Sequence, residues 1–138
     1  MKKLEIEALA DKLQAVLDFV KSGLDMCQFD ETDYNLFLIA AEEIFVNIAH
    51  YAYKNAHGMV RITMDGMPNG IKVSFRDEGI PYNPLEKDDP ELAGDAADRE
   101  VGGMGIFMTK TIMDHLKYEY VGGCNVLTMD KLYKNKEE

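Results

Sequence analysis

Apolar positions along the chain change period several times, and the changes mark out its elements. Residues 1–7 alternate, with Leu4 and Ile6 set between charged neighbours, which predicts a short edge strand. From Leu9 the spacing lengthens to three and four residues through Leu13, Val16, Leu17 and Val20, a helix stopped by Ser22-Gly23. Asp30 or Thr32 can cap a second helix, whose body NLFLIAAEEIFVNIAHYAY is apolar nearly all round and therefore central. His57-Gly58 closes the helical region. Two alternating stretches, MVRITMDG and IKVSFRDEG, then flank a PNG turn and read as a β-hairpin that delivers Asp77 at its end. Pro81 to Glu100, with three prolines and Gly94, predicts a long loop with at most a short helix. Ile106 to Leu116 restores helical periodicity, and LKYEYV, GG and CNVLTMDKL give a final hairpin before a charged tail. Helices and antiparallel hairpins without regular alternation predict an α+β sandwich with helices on one sheet face.

Composition narrows the class. A chain of 138 residues, 46% hydrophobic and 29% charged, suits one core and is short for two, so a single domain over 1–138 is expected. The net charge is −10, and residues 86–100 hold seven acids against Lys87 and Arg99, so half of the excess lies in the loop. Such a balance gives no general attraction to nucleic acid or to an anionic membrane, and neither is expected as a partner. Cys27 and Cys124 are isolated, which fits idle thiols in a reducing compartment. Glu5 and Glu7 interrupt any signal-peptide core, and no apolar run approaches membrane-spanning length, so a cytoplasmic location is expected. His50, His57 and His115 have no spacing with carboxylates or cysteines that makes a zinc site.

Three places combine polar chemistry with an apolar setting. Glu43 and Asn47 lie four apart, on one face of the second helix. A carboxylate and an amide there carry a desolvation cost unless partnered. Backbone groups could partner them, or Asn47 could be an oxygen ligand of Mg²⁺ with Glu43, one turn away, as a general base. Asp77 precedes Glu78-Gly79, which suits a turn-forming Asp and equally a carboxylate accepting from a purine amine, with Gly79 letting the base approach backbone. Gly102, Gly103 and Gly105 precede the third helix, where they could form a hinge or offer N–H groups to a polyphosphate.

In order, EEIFVN in a helix, DEGIP after a strand and GGMGI before a helix resemble the N, G1 and G2 boxes of the GHKL superfamily, which includes gyrase-type ATPases, heat-shock chaperones and histidine kinases. The compact length and the stretches DEGIPYNPL, GGMGIFMTKTIMDHLKY and GGCNVLTMDK are similar to one branch, the anti-sigma-factor serine kinases of the RsbW type. The resemblance runs from the first strand to about Leu132. It implies a two-layer α/β sandwich of Bergerat type, its sheet mixed and mostly antiparallel, with an ATP lid over about 80–102. It implies that Asn47 coordinates Mg²⁺ linking the ATP phosphates and that Glu43 activates the attacking hydroxyl or water. Asp77 would recognise the adenine amine with Gly79 beside it, Gly103 and Gly105 would contact phosphates, and Gly102 would hinge the lid. Members of this branch transfer the γ-phosphoryl group to a serine of an anti-sigma antagonist, separately sequester a sigma factor, and form homodimers.

The chain departs from that pattern in three places. Pro81 stands where many members carry the second glycine of the G1 box. Val101 occupies the position of an arginine that in some relatives neutralises the γ-phosphate, and Arg99, two residues earlier, is the nearest substitute. A threonine often found early in the last strand is replaced by Cys124-Asn125, to which the resemblance gives no role. The function expected is therefore an ATP- or ADP-bound serine-protein kinase and anti-sigma factor. The alternative is a nucleotide-gated module that binds a regulator without kinase activity.

Overall fold

The computed structural model describes residues 1–53, 57–86 and 103–133. In chain order these form β1 (Lys2–Glu7), α1 (Leu13–Leu24), α2 (Glu31–Tyr51), β2 (Met59–Met67), β3 (Gly70–Asp77), α3 (Gly103–Ile112), β4 (His115–Val121) and β5 (Cys124–Leu132). The strands make one five-stranded sheet in the order β1-β2-β3-β5-β4, and each neighbouring pair is antiparallel.

Alternation decides which sheet face is buried. Val60, Ile62 and Met64 of β2, Val73 and Phe75 of β3, and Leu127 and Met129 of β5 all turn into the core. They do so in register, with Phe75 opposite Ile62 on one side and Leu127 on the other. Arg61, Lys72 and Arg76, at the alternate positions, are exposed. The helices therefore cover one face, as expected for this α+β class. Helix α2 packs between α1 and α3, which explains its near-continuous apolar sequence. Its buried residues Phe37, Ala40, Ala41, Ile44 and Phe45 form a broad stripe. Val16, Val20 and Leu24 of α1, Ile106 of α3, and Met113 just beyond its end complete the same core.

Asp30 is the residue that starts α2. Its side chain accepts from the Asp33 N–H at 2.7 Å, satisfying a donor that the first turn cannot pair internally, while Thr32 lies inside the helix. Asp30→Ala is expected to cost about 1 kcal/mol, measured as a lower urea midpoint with an unchanged slope.

Two helix ends differ from the sequence expectation. Helix α2 stops at Tyr51, short of His57-Gly58. Helix α3 stops at Ile112, and Leu116 belongs to β4. Leu116 sits three residues after Met113 and two before Tyr118, so its spacing fits either period, and pairing with Met129 of β5 decides in favour of strand. The turn between them is fixed by the Asp114 N–H donating to the Asp130 carbonyl at 3.0 Å and by the Asp114 carboxylate accepting from the Leu132 N–H at 2.7 Å. The Lys131 ammonium donates to the Ile112 carbonyl at 3.1 Å and lies 4.0 Å from the buried Asp33 carboxylate, tying the end of α3 to the start of α2. The β4–β5 hairpin turns on Gly122 and Gly123, whose φ values of 61° and 78° are those a two-residue turn between twisted strands requires. Among the described residues, no helix is long and apolar enough to cross a membrane.

Candidate functional site

The C-terminal half of α2 supplies the first part of the site. Asn47 is 4% exposed, held within the apolar stripe by its place on the helix. Its Nδ2 donates to the Glu43 carbonyl at 2.9 Å and to Glu43 Oε2 at 2.5 Å. Both neighbours are acceptors, so the amide cannot be turned over without setting oxygen against oxygen. Asn47 Oδ1 is thereby directed elsewhere, and it is buried with no hydrogen-bond partner among the described residues. An orphaned buried acceptor costs free energy. A cation or an N–H donor arriving at that atom would remove the cost, so the residue fits the Mg²⁺ ligand that its sequence position suggested.

The end of β3 supplies the second part. Asp77 is 4% exposed and faces inward because Phe75 and Val73 do. Its Oδ1 accepts from the Gly79 N–H at 2.9 Å and from Asn125 Nδ2 at 2.9 Å. Among the described residues no hydrogen bond falls on Oδ2. Burial pushes the Asp77 carboxyl above the usual carboxylate range, and the bonds from Asn125 and the Gly79 N–H pull it back in part. Asp77 is thus both a turn-former, through Gly79, and a carboxylate with one oxygen unspent.

Gly79 serves the backbone fold of this corner. A β-carbon there would lie 2.2 Å from the Ala52 carbonyl oxygen, which also accepts from the Ile80 N–H at 2.9 Å. Gly79→Ala is expected to lower stability by about 1–3 kcal/mol through overpacking, visible as a lower melting temperature without nucleotide. Tyr53 fastens the same corner, its hydroxyl accepting from the Glu78 N–H and donating to the Met59 carbonyl, both at 2.7 Å.

Helix α2 and strand β3 bring their polar residues to one cleft. Asn47, Ile44, Ile48 and Ala52 form one wall, Phe75, Asp77 and Leu127 the floor, and Tyr82, Pro84, Tyr118 and Asn125 the rest, around a narrow cavity of about 30 Å³. Its lining is mainly apolar with a few placed polar groups, the chemistry of a small-molecule site. Glu43 stands one turn from Asn47, bonded to it. Helix α3 packs on α2 and on the short turn Pro84–Glu86 at the cleft's edge, with Gly103 and Gly105 in its first turn rather than ahead of it. At the beginning of the expected lid Ile80 and Pro81 are exposed, whereas Pro84 is buried and the Tyr82 ring stacks on Tyr51 with centroids 5.1 Å apart. Arg99, Val101 and Gly102 lie outside the described residues.

Asn125 is the residue that sequence reasoning left without a role. It is 6% exposed, and both its amide oxygen and its amide nitrogen are hydrogen-bonded. The available signal was an amide at an inward position of an apolar strand, two residues before Leu127, which poses the same pairing question as Asn47.

The family described as Histidine kinase-like ATPase domain matches residues 6–131. A serine/threonine-protein kinase, BtrW, of Bordetella bronchiseptica is 27% identical over 92 residues, 66% of this chain and 65% of that protein. An anti-sigma F factor of Caldanaerobacter subterraneus is 31% identical over 88 residues, 64% of this chain and 62% of that protein. The chain thus aligns with less than two thirds of the length of either relative. Among solved structures, a Mycobacterium tuberculosis protein with RsbU and RsbW domains superposes with a TM-score of 0.61 at 15% identity, covering 98% of this chain and 34% of the other. The histidine kinase AdeS of Acinetobacter baumannii gives 0.50 at 12% identity, covering 98% of this chain and 70% of the other, and both likenesses concern the fold. With the family match spanning nearly the whole chain and the two polar walls meeting in one cleft, this chain belongs to the histidine kinase-like ATPase domain family.

Proposed function

We propose that the chain is an ATP-dependent kinase that phosphorylates a serine of an anti-sigma antagonist and, separately, sequesters a sigma factor. The observation that carries the chemical half is the meeting of an unpartnered Asn47 Oδ1 and an inward Asp77 carboxylate in one cleft. The partner half is supported by similarity to proteins named as a serine/threonine-protein kinase and an anti-sigma F factor. In this scheme Asp77 accepts from the adenine amine, and the apolar wall of Ile44, Ile48 and Leu127 takes the base. Asn47 Oδ1 would hold Mg²⁺, and when bound the ion neutralises charge on the phosphate oxygens. Gly103 and Gly105, in the first turn of α3, offer backbone N–H groups to phosphate. Arg99 is the candidate for the γ-phosphate, and Gly102 for the lid hinge.

Glu43 takes the proton of the attacking serine hydroxyl. A bond forms between the serine Oγ and the γ-phosphorus, the bond from that phosphorus to the bridging oxygen breaks, and ADP leaves with the electron pair. The Asn47 amide fixes the orientation of the Glu43 carboxylate throughout. Cytoplasmic location, a homodimer and a role in transcription regulation belong to the same proposal. The test is to capture partners from host lysate with and without Mg-ATP and to map phosphoserine on them by mass spectrometry. A nucleotide-dependent partner gaining phosphoserine is the expected result. A partner recovered unmodified from a protein that binds ATP would instead establish the binding module without kinase activity.

A further inference from the structure

Asn125 lies at the start of β5, paired with Asp77 at the end of β3, and its amide is completely used. Nδ2 donates to Asp77 Oδ1 at 2.9 Å and to the Ile80 carbonyl at 2.8 Å. Oδ1 accepts from the Tyr82 N–H at 3.0 Å and from the Tyr118 hydroxyl. A side-chain amide has two N–H donors and two acceptor lone pairs, and all four are matched here. Turning the amide over would face oxygen to a carboxylate and a carbonyl, and NH₂ to an N–H, so the orientation is fixed.

Two consequences follow for the cleft. Asp77 Oδ1 is occupied by Asn125 and by the Gly79 N–H, so the carboxylate can meet a ligand only through Oδ2. The chain from Ile80 to Tyr82, which carries the Tyr82 wall of the cleft, is bound to β5 at both ends. Asn125 itself has no bonding capacity left for a ligand. We infer that Asn125 is a positioning residue that sets base selectivity, by holding Asp77 so that a lone acceptor oxygen is presented to a base bearing an exocyclic amine. The inference rests on Asp77 reading the base, as in the proposed function, and adds what makes that carboxylate selective.

An acceptor held in place favours a 6-amino purine over a 6-oxo purine, because the latter would set oxygen against oxygen. Without the Asn125 donor, Asp77 can rotate, and its carboxyl rises further because a hydrogen bond to the charged form is lost. Protonated, it can donate to a 6-oxo group. Binding of ATP that needs the ionised carboxylate is then lost at a higher pH as the solution is acidified. Two ionisable groups feel the charge of Asp77: Tyr53, which also has Glu78 and Cys124 near it, and Tyr118, which also has Tyr120 and Glu86 near it. Glu5, His57, Arg61 and Arg76 line the polar groove on its other side. All are unchanged between the proteins to be compared, so a shift in the acid limb reports on Asp77.

The experiment measures dissociation constants for ATP and inosine triphosphate by calorimetry across the acid limb, in the wild-type chain, Asn125→Ala and Asn125→Leu. The leucine variant keeps the side-chain volume and adds no charge or titrating group, so it separates loss of the donor to Asp77 from loss of packing. Circular dichroism and melting curves accompany each protein. Expected is a loss of ATP-over-inosine-triphosphate preference of about tenfold or more in both variants, with the acid midpoint moved to higher pH. Unchanged preference and midpoint in a folded variant would overturn the inference, as would failure of both variants to fold, which would make Asn125 architectural. Failure of the wild-type chain to bind ATP would overturn the underlying reading of Asp77 itself, and is recognised because it precedes any substitution.

Discussion

Substituting Glu43 with alanine is expected to slow phosphoryl transfer to serine by about 10²- to 10⁴-fold while leaving ATP affinity nearly unchanged. The two effects separate because of how Asn47 is held. Its Nδ2 bonds both the Glu43 carboxylate and the Glu43 carbonyl, and the second bond, at 2.9 Å, survives loss of the side chain. Asn47 Oδ1 therefore keeps its direction, and binding interactions routed through it persist. What disappears is a half-buried carboxylate able to accept a proton. In phosphoryl transfer most of the acceleration comes from positioning and electrostatics, so a base contributes a factor of this size and no more. Glu43→Gln should be as slow as the alanine variant, since an amide of the same shape keeps an oxygen for Asn47 and is no base. Initial rates of phosphoserine formation, with calorimetric ATP affinities alongside, make the check. A Glu43→Ala protein that transfers at the wild-type rate removes Glu43 from the mechanism.

The sequence was legible where one period dominated and ambiguous where two coincided. Alternation in β2 and β3 and the apolar body of α2 located the sheet face, the central helix and the inward Asp77. Leu116 satisfied both helix and strand spacing, and only its pairing with Met129 resolves it. For the site, the four-residue interval predicted that Glu43 and Asn47 share a face, and they are bonded to one another. It could not predict that both bonds of the Asn47 amide would fall on Nδ2, which is what leaves Oδ1 unmatched. Gly79 was legible as a special position but for another reason: the close contact is with the Ala52 carbonyl of the chain itself. Asn125 stood out in the sequence only as a departure from the family pattern and was left without a role, because its main contact is with a residue 48 positions away, which no local spacing encodes.

Asp77→Ala should weaken ATP binding by about 2–5 kcal/mol, the cost of deleting one partner of a buried charge-assisted contact. Equal affinity in that variant would refute the assignment of Asp77 to the base. Asp77→Asn tests the same residue from the side of stability. Burial raises the folded-state pKa of Asp77 above its value in the unfolded chain. For a group shifted in that direction, the favourable contribution is complete below the unfolded pKa and is lost as pH rises through the folded one. At neutral pH the ionised Asp77 is therefore a cost to the empty protein. Asparagine keeps an oxygen to accept from the Gly79 N–H and from Asn125, and carries no charge to desolvate. The Asp77→Asn protein should melt above wild type at neutral pH in the absence of nucleotide, and the gap should close as the solution is acidified and wild-type Asp77 takes up its proton. Yet it should bind ATP less well, because the oxygen is claimed by Gly79 and Asn125 and the NH₂ group is left to face the adenine amine. A buried carboxylate that lowers stability, removed with a gain in melting temperature and a loss of ligand, is kept for what it binds; a residue serving only the turn would gain or lose both together.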